Sequence, residues 1–514
     1  MADDKSKKTP SAKRAGFLLG ALDLVERWGN RLPHPFTLFL LFSLGVVLLS
    51  WIASLLAISA IHPVTGKTIA AVNLLDRQGI QSIITKAVTN FTGFAPLGTV
   101  LVAMIGVGVA ERSGLFTAAL KALATGVPSW LLTTALVFAA VNADIAVDAG
   151  YVILIPLGAA LFAGVGRHPI VGLAATFAGV SAGFSSNIFL TPVDPLLAGL
   201  TQEAARLYDP KYTVPITANY YFMIGSAFLQ TIIGVWVTVK IVEPRLGPYS
   251  GARQESMEPL RIEEKRGLVA AGITMIAEIL VLLILTLPKN GLLRDAKGGL
   301  EPLFQGMVVL MAIGFLLPGL AYGLAAGTIK NDRDTGKMIE ETMSTMGSYI
   351  ALAFVASQFV AYFGWSNLGL ILAVTGADLL KATGFTGIPL IVLFVFVCAL
   401  IDLFLASASA KWAVIGPVFV PMLMIMGYSP ELTQAAYRIG DSFTNIITPL
   451  MPYMPLIIAF AQKYEPKIGL GTLLAMMLPY SVAFAIGWSL LLVIWLLLGI
   501  PLGPGASLVY PPVP

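Results

Sequence analysis

Long apolar runs separated by short polar segments dominate the chain. Runs of about twenty apolar residues are long enough to cross the hydrocarbon core of a bilayer as helices. The strict alternation of apolar and polar residues that is typical of a transmembrane barrel is absent. The pattern therefore predicts an all-α polytopic membrane protein, with apolar runs at about 37–60, 95–112, 129–145, 170–200, 217–243, 267–287, 303–326, 346–364, 386–402, 430–460 and 470–499.

Composition supports this class of protein. Of the 514 residues, 57% are hydrophobic and 12% are charged, whereas soluble domains are roughly 45–50% apolar and about 25% charged. The formal net charge is +4, and the basic residues gather in the N-terminal tail and between apolar runs, so no nucleic-acid-binding surface is expected. Because Cys398 is the only cysteine and the three histidines are scattered, we expect no disulfide, metal cluster or cofactor.

Polar segments predict the orientation of the chain. Residues 1–36 are predicted to form a basic tail followed by an amphipathic helix. A cleaved signal peptide is disfavoured, because Asp23 and Glu26 interrupt the short apolar run. Residues 244–266 form a charged, proline-marked linker, and a second polar stretch covers 330–343. Because cytoplasmic loops carry an excess of Lys and Arg, these segments predict a cytoplasmic N-terminus and a cytoplasmic linker.

The two halves of the chain share a series of landmarks. Asp144 and Asp402 each end an apolar run, and each precedes a segment rich in small and polar residues. Three further pairs follow in the same order: Pro156 with Pro417, GRHP at 166–169 with GYSP at 427–430, and GFSSNIFLTP at 183–192 with DSFTNIITP at 441–449. At an offset of about 253–261 residues, this order predicts an internal inverted repeat that covers 37–243 and 267–514.

Interrupted segments occupy matching places in the two predicted repeats. We expect a re-entrant hairpin of two half-helices at about 144–166 and another at about 402–427, with Asp144 and Asp402 in an architectural role near the hairpin bases. Broken helices are expected at about 169–200 and 430–460. A helix broken at membrane depth survives only where its freed backbone groups meet protein or water, and such breaks in corresponding places are typical of secondary transporters.

The stretch RIGDSFTNIITP, which begins at Arg438, combines charge with a helix-breaking proline. Pro449 lacks an amide donor and should end the helix, exposing carbonyls and amides that could hold ions. Arg438 and Asp441 are three residues apart and therefore share a helix face. A charge at the centre of a membrane helix costs on the order of 2.5–3.5 kcal/mol, so we predict a functional role over a self-neutralising structural pair.

Other polar residues in apolar surroundings carry two interpretations each. Asp194 lies between two prolines, and we favour a functional role over a loop or capping role. Trp412 reads as a substrate-stacking residue rather than as part of an interfacial belt. Lys411 is expected to extend towards the membrane surface. Glu278, alone in an apolar run, is consistent with either a packing contact or a proton carrier.

The chain also resembles the AbgT family of p-aminobenzoyl-glutamate transporters over most of its length. The resemblance is carried by NADIAVDAGYVILIPLGA, AGFSSNIFLTPVDPLL, SASAKWAVIGPVFVPM and SPELTQAAYRIGDSFTNIITPLMPYMP. It implies a homodimer with about nine transmembrane helices and two re-entrant hairpins per subunit, a bowl-like aqueous cavity that faces the cytoplasm, and cation-coupled transport in a bacterial inner membrane. It implies uptake of p-aminobenzoyl-glutamate, or export of sulfonamide antimetabolites, and by motif it places functional positions at Asp194, Ser409, Trp412, Pro430, Arg438 and Asp441.

The chemistry of these residues suits such a substrate. An arginine such as Arg438 can grip a carboxylate with two parallel hydrogen bonds, which a lysine cannot reproduce. Trp412 offers a flat face to the aminobenzoyl ring. Ser409 and Pro430 complete the predicted substrate-binding set, together with Asn187 and Asn445.

The coupling ion is left open between Na⁺ and H⁺. Asn187 and Asn445 stand at equivalent breaks, where their side-chain oxygens and freed carbonyls could coordinate a hard cation, so we favour sodium. Asp194 and Asp441 could instead carry protons, if burial raises their proton affinity.

Other classes of protein fit less well. No H-E-x-x-H motif and no phosphate-binding G-x-x-x-x-G-K-[ST] loop occurs, so neither an intramembrane metalloenzyme nor an ATP-driven pump is expected. An ion channel, or a transporter of an unrelated small organic anion, remains the alternative, because hairpins also build pores.

Overall fold

The computed structural model describes residues 33, 35–63, 66–125, 128–146, 150–249, 260–405 and 407–510. The tail and amphipathic helix predicted for residues 1–36 lie almost wholly outside these residues, and so does the middle of the predicted linker, residues 250–259. Within the described residues, helices account for nearly all regular structure. The exception is a two-stranded antiparallel hairpin, Ser59–Ile61 with Thr68–Ala70, in which Ser59 pairs with Ala70.

The helices follow one another through both halves of the chain. Those of the first half are Pro35–Leu55, Arg77–Thr92, Ala95–Arg112, Leu115–Thr125, Leu132–Val141, Ile155–Gly164, Pro169–Ala182, Val193–Arg206, Tyr220–Val237 and Glu243–Leu246, with a 3₁₀ turn at Ala143–Ala146 and π-helical turns at Gly150–Leu154 and Thr238–Val242. Those of the second half are Ile262–Thr286, Glu301–Gln305, Met307–Ala326, Asp332–Thr345, Gly347–Trp365, Leu368–Ala382, Ile388–Asp402, Ala408–Ile425, Pro430–Thr444, Met454–Gln462 and Leu470–Leu498.

Eight helical segments of the described residues are long and apolar enough to cross a membrane. They are Pro35–Leu55, Arg77–Arg112, Tyr220–Leu246, Ile262–Thr286, Met307–Ala326, Gly347–Trp365, Ala408–Ile425 and Leu470–Leu498. Shorter apolar helices lie beside them. Large aliphatic side chains such as Ile273 and Ile284 point outwards and are more than 60% exposed, as expected for a face that contacts lipid. The fold class, an all-α polytopic membrane protein, is confirmed, with eight such segments where the resemblance implies about nine.

Each half contains one broken helix. The first consists of Pro169–Ala182 and Val193–Arg206, separated by the non-helical residues 183–192. The second consists of Pro430–Thr444 and Met454–Gln462, separated by 445–453. Both begin with a proline at a position where the missing amide has no cost, and both breaks end in a proline-containing segment that cannot continue the helix.

A helix–turn–helix hairpin precedes each broken helix. The first hairpin joins Leu132–Val141 to the helical residues 150–164, and the second joins Ile388–Asp402 to Ala408–Ile425. The prediction of two half-helices inside 144–166 and inside 402–427 is therefore wrong, because each interval holds the turn and only one arm. In the second hairpin Pro417 and Pro421 lie within a single helix and do not divide it.

The second hairpin and the two broken helices pack together at the centre of the protein. The Ala408–Ile425 arm packs against Val193–Arg206, the Ile388–Asp402 arm packs against Pro430–Thr444, and Pro430–Thr444 contacts both halves of the first broken helix. Ile388–Asp402 and Pro430–Thr444 approach closely at Gly440, where an added Cβ would lie 2.2 Å from the carbonyl oxygen of Val395 and 2.8 Å from Cβ of Cys398. This packing brings the polar residues of both repeats into one region.

We expect Gly440→Ala to destabilise the protein by about 1–3 kcal/mol, because the methyl group forces apart two helices in contact. The measurement is the thermal unfolding temperature of the purified protein in detergent. Gly314→Ala is the matched control, since it lies in a helix and its added Cβ meets nothing within 4 Å. Equal melting temperatures for the two variants would contradict the close approach.

Candidate functional site

One buried ion pair joins the two broken helices. Nη1 of Arg438 lies 2.6 Å from Oδ1 of Asp194, and the two side chains are 3% and 0% exposed. Oδ2 of Asp194 accepts hydrogen bonds from the Thr191 amide at 2.6 Å and from the Thr191 hydroxyl at 3.2 Å. Asp194 is thereby fully engaged, whereas Nε and Nη2 of Arg438 are buried and have no hydrogen-bond partner. We call Asp194, Thr191 and Arg438 the arginine cluster.

The local sequence places Asp194 at a favourable position. It stands in the first turn of the Val193–Arg206 helix, just after the break that Pro192 ends. The partial positive charge at a helix N-terminus stabilises a carboxylate there. Arg438 lies on the opposite broken helix, so the ion pair fixes the first repeat to the second.

A second buried cluster lies between the second hairpin and the second broken helix. Nζ of Lys411 pairs with Oδ1 of Asp402 and lies 2.7 Å from Oδ1 of Asp441. The hydroxyl of Thr444 donates to Oδ2 of Asp402 at 2.7 Å, and the hydroxyl of Tyr437 lies 3.2 Å from Oδ1 of Asp441. Lys411 and Asp402 have no exposed surface, and Asp441 is 1% exposed. We call these residues the lysine cluster.

The structure excludes two interpretations of these charges. Arg438 and Asp441 share a helix but are not a self-neutralising structural pair, because Arg438 reaches Asp194 and Asp441 reaches Lys411. Lys411 does not extend to the membrane surface, because it lies inside the protein between two carboxylates, whose attraction offsets part of the hydration that it loses there. Asp402, expected to be architectural, is the second partner of that lysine.

The side chain of Trp412 is buried on both ring faces and at its edge. Its ring stacks on Tyr437 with centroids 4.3 Å apart and planes inclined by 22°, and the side chain has no exposed surface. Nε1 donates a hydrogen bond to the Thr201 hydroxyl at 2.8 Å, and a Cβ added at Gly416 would lie 3.6 Å from the ring. The predicted stacking of a substrate ring on Trp412 therefore needs a conformation in which Tyr437 has moved away.

Asn187 and Asn445 occupy equivalent positions at the two helix breaks. Both are buried, at 0% and 5% exposure. Their amide nitrogens make only long contacts of 3.5 Å, to the carbonyl oxygens of Phe184 and Ser181 respectively. Both side-chain oxygens are buried and have no hydrogen-bond partner, and so are the hydroxyls of Ser181 and Ser185. Within the described residues these are oxygen atoms that can accept a donor or a cation.

The other two predicted positions lie outside these clusters. Ser409 lies beside a narrow apolar cleft of about 20 Å³, which Leu196 and Leu200 also line. Pro430 is buried at the first position of its helix, behind Ser429, whose hydroxyl accepts from the Leu432 amide at 3.1 Å. Their part in substrate binding stays a prediction.

A hydrogen-bond network of polar side chains orients Trp412. The sequence analysis did not predict this network. The Thr201 hydroxyl donates to Oε1 of Gln434 at 2.6 Å, and the amide of Gln434 donates to Oδ1 of Asn219 at 3.0 Å. The amide of Asn219 in turn donates to the backbone oxygen of Glu431 at 2.9 Å. The sequence did contain a signal for Gln434, because it lies four residues before Arg438 and therefore on the same helix face. Among the described residues no group of three or more metal-ligating His, Cys, Asp or Glu side chains is found.

Comparisons with known proteins agree on one family. Residues 20–510 match the model of a family described as the AbgT putative transporter family. The p-aminobenzoyl-glutamate transport protein of Escherichia coli (strain K12) is 38% identical over 505 residues, which cover 98% of each chain.

Two solved structures have the same fold. The YdaH transporter of Alcanivorax borkumensis, described as having an unusual topology, is 45% identical with a TM-score of 0.88, over 92% of this chain and 100% of that one. MtrF of Neisseria gonorrhoeae, whose structure is described as illuminating a class of antimetabolite efflux pumps, is 46% identical with a TM-score of 0.89, over 95% of this chain and 100% of that one.

We expect Lys411→Met to destabilise the protein by about 3–5 kcal/mol, because it leaves two carboxylates buried without their cation. Adding Asp441→Asn should recover part of this loss, since one uncompensated charge disappears. The measurement is thermal unfolding in detergent. Lys381→Met, at an exposed position, is the matched control and should stay within about 0.5 kcal/mol of the original protein. A Lys411→Met protein as stable as that control would show that the lysine cluster contributes nothing.

Proposed function

The chain belongs to the AbgT transporter family, and on that premise we propose that it is a cation-coupled secondary transporter of p-aminobenzoyl-glutamate or a related aromatic carboxylate. We further propose that it acts as a homodimer in the bacterial inner membrane with its N-terminus in the cytoplasm. The excess of Lys and Arg in the N-terminal tail supports that orientation.

The observation that carries the proposal is that two buried nitrogens of Arg438 have no hydrogen-bond partner. One of its nitrogens binds Asp194, while Nε and Nη2 are buried and unpaired. Leaving buried donors unpaired costs free energy, and a ligand carboxylate can satisfy two such donors with parallel hydrogen bonds. The glutamate end of p-aminobenzoyl-glutamate carries two carboxylates, so it suits this site.

Trp412 is our candidate for the other end of the substrate. Aromatic rings stack with centroids about 4.5–7 Å apart, and Trp412 already stacks on Tyr437 in the closed site. In an open conformation the aminobenzoyl ring would take the place of the Tyr437 ring. Ser409 and Pro430 would border the same path.

The proposal includes both directions of transport, import and export. The relative from E. coli is named for p-aminobenzoyl-glutamate transport, and MtrF for antimetabolite efflux. A sulfonamide shares the aminobenzoyl half of the substrate, so export of such drugs through the same site is chemically reasonable. A channel is the alternative, and counterflow of labelled substrate, which a channel does not give, distinguishes the two.

For the coupling cation we favour sodium. Hard cations are coordinated by oxygen ligands from side chains and backbone carbonyls, and the unpartnered oxygens of Asn187 and Asn445 lie at the helix breaks. Proton transfer at Asp194 or Asp441 is the second possibility.

We expect Arg438→Lys to reduce substrate affinity about 10- to 100-fold, because the ammonium group cannot make two parallel hydrogen bonds and each charged hydrogen bond contributes about 1.5–3 kcal/mol. Binding of labelled p-aminobenzoyl-glutamate to the purified protein measures this loss. Arg333→Lys, at an exposed position, keeps the same chemical change away from the site and should bind normally. Unchanged affinity in Arg438→Lys would remove the carboxylate-binding role.

For the coupling ion we expect uptake into proteoliposomes to follow an imposed sodium gradient and to be lost when choline replaces sodium. Sodium and proton gradients are imposed separately on the same vesicles, with the second ion held equal on both sides. Transport that is unchanged in choline but collapses with the proton gradient would assign the coupling to protons instead.

A further inference from the structure

Asp144 has a buried carboxylate oxygen without a partner. The residue lies in the 3₁₀ turn Ala143–Ala146, between the arms of the first hairpin, and is 6% exposed. Its Oδ2 has no hydrogen-bond partner. A carboxylate that is buried, ionised and unpaired costs several kcal/mol, so this position needs a positive charge from some source.

The surroundings of Asp144 are those of the arginine cluster. Asp144 interacts with the side chain of Thr191 and lies within electrostatic range of Asp194, Arg438 and Asp441. Two aspartates thus flank one threonine, and Arg438, the guanidinium within that range, makes its ion pair with Asp194. Asp441, in turn, is paired with Lys411.

The elements packed most extensively against the Ala143–Ala146 turn offer no further cation for Asp144. They are Ala95–Arg112, Leu132–Val141 and Gly150–Leu154, whose titratable side chains are Glu111, Arg112 and Tyr151. Arg112 is paired with Glu341 at 2.7 Å, and Tyr151 stacks on Tyr453.

The matching position in the second repeat shows how the charge is balanced there. Asp402 corresponds to Asp144 in the repeat, and the ammonium group of Lys411, on the following helix, neutralises it. The helical residues that follow Asp144, 150–164, contain no lysine or arginine. The first repeat therefore has the carboxylate without the tethered cation.

A proton suits the unpartnered oxygen of Asp144 better than a metal ion does. A hard metal cation requires about six oxygen ligands, whereas both oxygens of Asp194 are already engaged and only Oδ2 of Asp144 is free in this pair. Two carboxylates that share a site do not both ionise readily, and one of them holds a proton.

We propose that Asp144 is a proton-binding site: it holds a proton while the site is closed and releases it when the site opens to water. On closure the carboxylate oxygen forms an O–H bond with a proton taken from water, and on opening that bond breaks and the proton returns to water. The resulting neutral side chain removes the excess negative charge beside Asp194. The role in transport rests on the proposed function, whereas the proton itself does not.

Infrared spectroscopy of the substrate-free, purified protein tests the proton directly. We expect the C=O stretching band of a protonated carboxyl group at neutral pH, which is lost in Asp144→Asn and shifted in Asp144→Glu. Glu278→Gln removes another acid that has a buried, unpartnered oxygen, on a helix of the outer face. It is the matched control and should leave the Asp144 band in place. Thermal unfolding in detergent verifies that each variant is folded.

Counterflow of labelled p-aminobenzoyl-glutamate in proteoliposomes, at equal pH on both sides, tests the role in transport. We expect counterflow by the original protein to fall as pH rises, because an ionised Asp144 opposes closure. In Asp144→Asn, which mimics the protonated state, this alkaline loss should disappear, whereas Glu278→Gln should keep it.

Three results would overturn the proposal. The first is a spectrum that does not change in Asp144→Asn, because Asp144 then carries no proton. The second is sodium-dependent thermal stabilisation that Asp144→Asn abolishes, because sodium would then be the occupant. The third is an unchanged alkaline loss of counterflow in Asp144→Asn. If the original protein shows no counterflow at all, the assumed substrate is wrong, and the infrared result alone decides on Asp144.

Discussion

The compensation of buried charge is the constraint on which the arrangement of this protein depends. An ion transferred into a protein interior loses several kcal/mol of hydration, and it needs an oppositely charged partner in good geometry, together with further hydrogen bonds, to recover this loss. Arg438 and Asp194 provide this for each other across the two repeats, and Lys411 does so for Asp402 and Asp441. Because the two partners of every pair come from different helices or hairpin arms, the charges also determine how the helices are placed.

The two helix breaks add polar atoms that are available to a ligand. An unbroken helix satisfies its own backbone, so it offers an ion nothing but side chains. At 183–192 and 445–453 the backbone leaves the helix, and Asn187 and Asn445 stand at these places with unpaired oxygens. A buried site in which polar atoms lack protein partners is suited to a ligand that binds and leaves, because these atoms are available to the ligand.

Hydropathy and repeated landmarks were sufficient to predict the membrane class and the two broken helices, because lipid imposes length and apolarity on every span and proline imposes an end on a helix. The partners of the charges could not be predicted in this way. Arg438 and Asp441 share a helix face in the sequence, but their real partners, Asp194 and Lys411, come from other segments. The hairpins were misplaced for a related reason: the segments after Asp144 and Asp402, rich in small and polar residues, suggest whole hairpins, yet each holds the turn and only one arm.

The contacts of the second hairpin link the uncovering of the aromatic site to the lysine cluster. Trp412 and Lys411 are consecutive on one hairpin arm, while Tyr437 and Asp441 are one turn apart on the broken helix. The face of Trp412 is covered by Tyr437, and Lys411 is held by Asp441. Separating the arm from the helix far enough to admit a ring between Trp412 and Tyr437 therefore also lengthens the contact between Lys411 and Asp441. That contact weakens steeply as water enters, which frees Asp441 to bind another cation. In the transport that we propose, admission of an aromatic substrate and exposure of a cation-binding carboxylate would thus arise from one displacement, as coupled transport requires.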